Sequence, residues 1–149
     1  MAKTKLILSE FLPYQLSVAS NAVSDLIAES YRGRFALKIP EWRVMALLGE
    51  RPSATQRELV SATAMDKVTV SRATKALEDR ALVRRAPNVA DGRSHHLALS
   101  DTGRELYDQI VPLAQAMEKR LENVLDPGDA QRLEEILRRL RLRAEELLI

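Results

Sequence analysis

The chain contains no cysteine. That excludes a disulfide scaffold, a thiolate-ligated zinc or iron–sulfur site and any thiol redox sensor. Aromatic residues are only 4% and glycines only five, a composition that favours helices over sheets. No apolar run is long enough to span a membrane. The N-terminal MAKTKLILSEF has two lysines but a three-residue apolar run, which fits no secretory signal; a cytoplasmic protein is the default expectation. What is present suits a folded core: 46% apolar and 30% charged residues over 149 positions, the size of a single domain or of one domain with an oligomerisation arm.

The net charge of +2 hides an asymmetry. From Arg51 to Ser100 nine Lys/Arg stand against five Asp/Glu, a local +4, while the remainder carries fourteen against sixteen, a local −2. The basic excess in the middle third points to a local anionic partner.

Helical spacing organises most of the chain. Leu16, Ala19, Val23, Leu26 and Ile27 predict a helix from Leu12–Pro13 to about Tyr31, and Pro40 opens a second that ends near Gly49. The stretch Arg51–Ala54 reads as a connector. Thr55 and Glu58 form a T-x-x-E capping box for a short helix from about Gln56 to Ala62, and Asp66 is an N-cap for a helix from Lys67 to about Arg80. Two strand-like runs follow, Leu82–Arg85 and Ser94–Leu99, separated by the turn-forming APNVADG and read as one hairpin. Ser100 caps a long helix that contains Pro112, where a bend is expected. Asp126 with Pro127 restarts the chain as N-cap and first helical residue of a last helix striped by Leu133, Ile136, Leu137, Leu140, Ala144 and Leu147. The predicted fold is mainly α with a small β-hairpin wing, and a helix–turn–helix followed by such a wing is a plan for entering DNA.

The segment KVTVSRATKALEDR (Lys67–Arg80) places Val70, Ala73 and Leu77 on one face, leaving Lys67, Thr69, Ser71, Arg72 and Lys75, small or basic, elsewhere. Short hydroxyl residues near a helix N-terminus allow close approach to phosphates and base edges, and Arg72 has the reach for a guanine. Arginine on a two-stranded wing suits the minor groove, and Asp91 can fix Arg93 at the tip. The only histidines, His95 and His96, lie close to Asp91 and raise the possibility of a catalytic or metal site. Adjacent strand residues point to opposite faces, so the pair cannot easily bind one metal, and no third histidine, catalytic triad or phosphate loop accompanies them. Neither catalytic nor metal-ligating residues are assigned, and no cofactor is expected.

The stretch Thr55–Gly103 resembles the winged helix-turn-helix core of MarR-type transcriptional regulators. The resemblance rests on TVSR (Thr69–Arg72), LEDRALVRR (Leu77–Arg85), D-x-R (Asp91–Arg93) and LSDTG (Leu99–Gly103), and the order and length of the flanking helices extend it over nearly the whole chain. Many relatives have glycine where Ala81 stands and threonine where Ser100 stands. The resemblance implies a single MarR-like domain, with a DNA-binding core at 35–100 and a helical dimerisation region at 6–34 and 101–149. It implies a homodimer on a pseudo-palindromic operator, acting as a repressor released by a small aromatic or phenolic ligand. The alternative is a winged-helix module that binds protein or RNA without an effector.

Carried over position by position, the resemblance puts Lys67, Thr69, Ser71, Arg72 and Lys75 on the DNA-facing helix. Arg93 becomes the minor-groove residue, Asp91 its positioning partner, and Arg84 and Arg85 flank the backbone, with Gln56 and Arg57 as phosphate contacts. A ligand would draw on Tyr14, Gln15, Asn21, Trp42, Arg43 and Met45. Gln15 is neutral, so an anionic effector would take its counter-charge elsewhere. The absence of cysteine sets aside the thiol-oxidation branch of the family.

Overall fold

A computed structural model of the chain describes residues 4–88 and 91–149; for Pro87, Asn88 and Asp91–Ser94 it describes the backbone alone. The elements follow as α1 (Leu12–Ala28), α2 (Ile39–Glu50), β1 (Ala54–Thr55), α3 (Gln56–Thr63), α4 (Lys67–Asp79), β2 (Val83–Asn88), β3 (Asp91–Leu99), α5 (Asp101–Glu122) and α6 (Asp129–Leu147). A single 3-10 turn at Leu8–Glu10 precedes α1. The chain divides into two compact units, one through Ala114 and one from Gln115 to Ile149.

The first unit holds the core. Tyr31, Leu37, Val44, Met45, Leu48, Leu59, Val70, Leu77, Leu97 and Ile110 are each all but closed to solvent. They come from α2, α3, α4, β3 and α5 and from the connection after α1, so apolar surface buried by all of these elements binds the winged core together. Helix α1 ends three residues before the position expected from periodicity. Ser30 and Tyr31 close tight turns onto the carbonyls of Ile27 and Ala28, which swings Tyr31, Phe35 and Leu37 into the core.

The sheet has three antiparallel strands in the order β1-β3-β2. The residues Ala54 and Thr55, expected to be connector, form β1 and pair with Leu97 and His96. The hairpin strands run further toward the tip than expected, with Val83 opposite Leu99 and Asn88 opposite Asp91. Pro87 lies on β2, an edge strand, the place in a sheet where proline is tolerated.

The turn from α4 into β2 explains two motif positions. The Leu82 N–H donates to the Leu77 carbonyl and the Ala81 N–H to the Glu78 carbonyl, a Schellman closure with Ala81 in the place glycine favours. Ala81 has φ 57°, a left-handed conformation that costs an L-residue about 1–2 kcal/mol. Ala81 is exposed, so the methyl contributes no packing. Ala81→Gly is therefore expected to raise stability by about 0.5–1 kcal/mol after the added freedom of the unfolded chain is counted. Denaturant unfolding at fixed protein concentration checks this; a less stable variant would contradict the strain.

Ser100 then opens α5. Its hydroxyl donates to the Ala81 carbonyl (2.7 Å) and accepts from the Gly103 N–H (2.9 Å), while its own N–H reaches the Leu82 carbonyl (3.0 Å). Helix α5 continues through Pro112.

In the second unit, α6 begins at Asp129 rather than at Pro127. Gly128, with φ 88°, is its N-cap, and the Asp126 N–H donates to the Asp129 carboxylate. Asp126 therefore belongs to the turn before the helix. Ion pairs of Arg138 with Glu135, Arg141 with Glu145 and Arg143 with Glu146 run along α6, and Leu133, Ile136, Leu137, Leu140 and Leu147 are all exposed on it. No helix of the described residues is long and apolar enough to cross a membrane.

Candidate nucleic-acid interface

Helix α3 starts where the sequence placed its capping box. The Glu58 N–H donates to the Thr55 hydroxyl (3.2 Å), which in turn donates to the Glu58 carboxylate (3.0 Å). Because Thr55 also pairs with His96, this helix start is fixed to the wing strand β3. Arg57 is exposed and Gln56 half-buried at that end.

Ala64, with φ 55°, ends α3 in the left-handed region, and Asp66 caps α4. The Asp66 carboxylate accepts the Thr69 N–H (2.7 Å) and the Thr69 hydroxyl (3.0 Å). These bonds, the backbone one foremost, hold the carboxyl of Asp66 below its ordinary pKa. Thr69, expected among the outward-facing residues, is half-buried and its hydroxyl is committed to this cap.

Helix α4 has two stripes. Val70, Ala73, Thr74 and Leu77 are buried and pack toward α2 and α3. Val68, Ser71, Arg72 and Lys75 are exposed and recur at the same i, i+3, i+4, i+7 spacing, so they form the opposite face. Lys67 is exposed at the helix start. Lys75 lies 3.7 Å from Asp79, whereas Arg72 makes no ion pair among the described residues. Val68 was not anticipated as part of this face, although the spacing alone places it there.

The far end of α4 is tied down on two sides. Arg85 on β2 donates to Glu78 at 2.7 Å. Arg80 donates to the carbonyls of Phe35 and Ala36, each at 3.0 Å. The helix is thus joined to the wing and to the α1–α2 connection, contacts between residues too distant in sequence for spacing to reveal. Arg84 and Arg85 consequently differ: both are exposed, but the guanidinium of Arg85 is partly neutralised by Glu78. The side chains of Asp91 and Arg93 lie outside the described residues.

The histidines separate as strand alternation requires. His95 is exposed and His96 half-buried, with Nδ1 of His96 3.1 Å from the Ser53 hydroxyl. That bond links the wing strand to the segment leading into α3.

The candidate ligand residues scatter. Met45 is fully enclosed in the core, and Tyr14, Asn21 and Arg43 are exposed. Gln15, also exposed, donates its amide to the Ser9 carbonyl. Trp42 is half-buried and stacked between Tyr31 (5.4 Å between ring centroids) and Tyr107 (6.0 Å). Tyr107 lies so close to α2 that a β-carbon at Gly49 would stand 2.2 Å from its ring, and the Arg104 guanidinium sits 5.2 Å above that ring. Burial raises the pKa of the Tyr31 phenol, a shift that the charges of Arg43 and Arg32 oppose. Sequence reasoning named Trp42 as a candidate but neither of the tyrosines stacked on it.

Comparison with known proteins agrees with this architecture. The MarR family model matches residues 37–94. The MarR family transcriptional regulator SPO1453 from Silicibacter pomeroyi DSS-3 is 32% identical and superposes with a TM-score of 0.77 over 91% of this chain and 96% of that one. The HTH-type transcriptional repressor NicR of Pseudomonas putida is 27% identical over 96 residues, 64% of this chain, and the match spans 61% of its own length. BpsR of Bordetella bronchiseptica, whose DNA binding is regulated by 6-hydroxynicotinic acid, shares the fold at a TM-score of 0.83 and 22% identity over 93% of this chain and 98% of its own. With the winged helix-turn-helix in place and SPO1453 matched at 32% identity over 96% of its length, the chain belongs to the MarR family of transcriptional regulators.

Proposed function

We propose that the chain is a homodimeric, sequence-specific DNA-binding repressor, released from its operator by a small aromatic ligand. The observation that carries this reading is the exposed stripe of α4, with Arg72 and Lys75 one turn and two turns from the helix start. A helix presenting short and basic side chains beside a wing fits the major groove, with the wing over the adjacent backbone. In this reading Lys67, Ser71, Arg72 and Lys75 face the groove, Thr69 sets the cap, and Gln56, Arg57 and Arg84 meet phosphates. Arg93, supported by Asp91, enters the minor groove. Arg85 contributes mainly by holding the wing to α4.

The dimer is supported by apolar surface left uncovered in one copy. Leu6, Ile7, Leu8, Phe11, Leu12, Leu16 and Val18 near the N-terminus are exposed, as are Leu133, Ile136, Leu137, Leu140 and Leu147 on α6. Surface of this extent is usual for an interface rather than for a monomer. A second copy is its natural cover, and two-fold symmetry then places two α4 helices on two half-sites. The core at 35–100 would read DNA, and 6–34 with 101–149 would join the copies.

The ligand reading is supported by the Tyr31–Trp42–Tyr107 stack and by BpsR's response to an aromatic acid. In this reading a ligand ring packs against the half-exposed edges of Trp42 and Tyr107, whose faces are already stacked, and Arg43 or Arg104 supplies the positive charge that Gln15 lacks. Release would require tighter binding to a dimer geometry that mismatches the half-sites; equal affinity for both geometries would shift nothing.

Arg72→Ala tests the reading. A bidentate arginine–guanine contact contributes about 1–3 kcal/mol, and a dimer loses two. Affinity for the selected duplex is expected to fall at least ~30-fold, with a smaller loss on random DNA. Fluorescence anisotropy on both duplexes at one salt concentration measures this. An equal loss on the two would make Arg72 a phosphate contact.

A further inference from the structure

Val68 stands out on a surface that otherwise conceals its apolar side chains. Among the described residues, it is the one large apolar side chain between Val23 and Leu113 that is exposed, at 58%. The remaining exposed apolar residues belong to the N-terminal segment, α1, α5, α6 and the segments next to α6. On α4 itself Val70 and Leu77 are fully covered and Ala73 nearly so. Val68 thus lies on the outward stripe, a turn before Ser71 and Arg72, in the first turn of the helix. Valine has nothing to gain there from the helix, since its branched side chain makes it a poorer helix former than alanine. Nor does it serve the cap, whose bonds run from Asp66 to Thr69.

The neighbouring groups narrow what Val68 can recognise. The Thr69 hydroxyl, the nearest polar alternative, is bound to Asp66. What remains exposed at the helix start is the long cation of Lys67, the branched methyls of Val68 and the hydroxyl of Ser71. In a major groove the one base-edge group that matches a pair of methyls is the C5-methyl of thymine. Val68 and Arg72 are four residues apart, about 6 Å along the helix axis, or roughly two base steps at ~3.4 Å each.

We propose that Val68 is a specificity-determining residue that contacts a thymine methyl in each half-site, within about two base pairs of the guanine addressed by Arg72. The assignment rests on the proposal that α4 enters the major groove.

The test uses the full-length protein and a duplex selected from a random pool for tight binding. Each thymine is replaced in turn by deoxyuridine, which removes the C5-methyl and keeps the base-pairing edge. Wild-type protein is expected to lose about fourfold in affinity at one position per half-site, and ~15-fold when both symmetry mates are replaced, the scale of one buried methyl at each site. Val68→Ala is expected to bind the thymine duplex correspondingly more weakly and to be indifferent to uracil at that pair. Any uracil sensitivity at other positions should persist, and sedimentation should show an unchanged oligomeric state. Equal uracil sensitivity in wild type and Val68→Ala at every position would overturn the assignment, and so would a wild type insensitive everywhere. If the wild type selects no duplex at all, the DNA reading of α4 falls with it, an outcome distinct from selective binding that ignores the methyl.

Discussion

Ile136→Asp combined with Leu140→Asp is expected to give a folded monomer that binds its operator at least ~100-fold more weakly than wild type. Both side chains are exposed on α6, at 48% and 37%, and no residue of α6 is buried. The substitutions therefore open no cavity in the winged core, and the far-ultraviolet dichroism and core melting of the variant should stay close to wild type once the concentration dependence of the dimer is allowed for. Two carboxylates on each copy would face their mates across a two-fold axis, where desolvated like charges are strongly unfavourable. A monomer then engages one half-site and forfeits the gain from linking two, which commonly amounts to a factor of 10² to 10⁴. Sedimentation velocity and anisotropy on the same samples measure both effects. A variant that stays dimeric would put the interface elsewhere, and a monomer with undiminished affinity would break the link between dimerisation and recognition.

Gly103→Ala is expected to destabilise the winged core by about 1–2 kcal/mol, for a reason unrelated to DNA. A β-carbon at Gly103 would stand 2.0 Å from the Leu82 carbonyl oxygen and 2.9 Å from its carbon. Those atoms are backbone and cannot rotate aside. The same carbonyl accepts the Ser100 N–H, so moving it loosens the Ser100 cap and the Ala81 turn together. Alanine returns about 1 kcal/mol of helix propensity, but overpacking against rigid neighbours costs about 1–3 kcal/mol and occasionally more; at 2.0 Å the steric cost exceeds the propensity gain. The melting temperature should fall by roughly 5 °C or more. Gly33→Ala is the control, since a β-carbon there meets nothing within 4 Å, and a wild-type melt is expected. Equal melting of the two variants would contradict the close approach of α5 to the Leu82 carbonyl.

Local features were legible in the sequence, and distant pairings were not. The capping residues Thr55, Glu58 and Asp66 act within three positions of their partners, and each was readable from spacing alone. So was the inward stripe of Val70, Ala73 and Leu77. The two-residue strand β1 is too short to show a period and exists only because Leu97 and His96, more than forty positions away, pair with it. The pairings of Arg80, Arg85, Tyr31 and Tyr107 were missed for the same reason: their partners are brought near by the fold. At Asp126–Asp129 several turn-forming residues compete, and the left-handed conformation of Gly128 moved the helix start two residues beyond Pro127. In the hairpin, Pro87 and Gly92 read as loop, yet Pro87 lies on the edge strand β2 and Gly92 falls where the pairing of β2 with β3 shifts register, the places in a sheet that take such residues. The family motifs compensated for part of this, since LSDTG reports a packing constraint at Gly103 that no local rule contains.

In the proposed dimer two copies of α4 read two symmetric stretches of DNA. Footprinting of the wild-type protein on the duplex it selects from a random pool tests it most directly. Two protected half-sites related by inverted symmetry are expected, with centres one helical turn or a whole number of turns apart, and protection that weakens steeply with added salt. A single unsymmetrical protected segment, or uniform coverage without sequence preference, would contradict it.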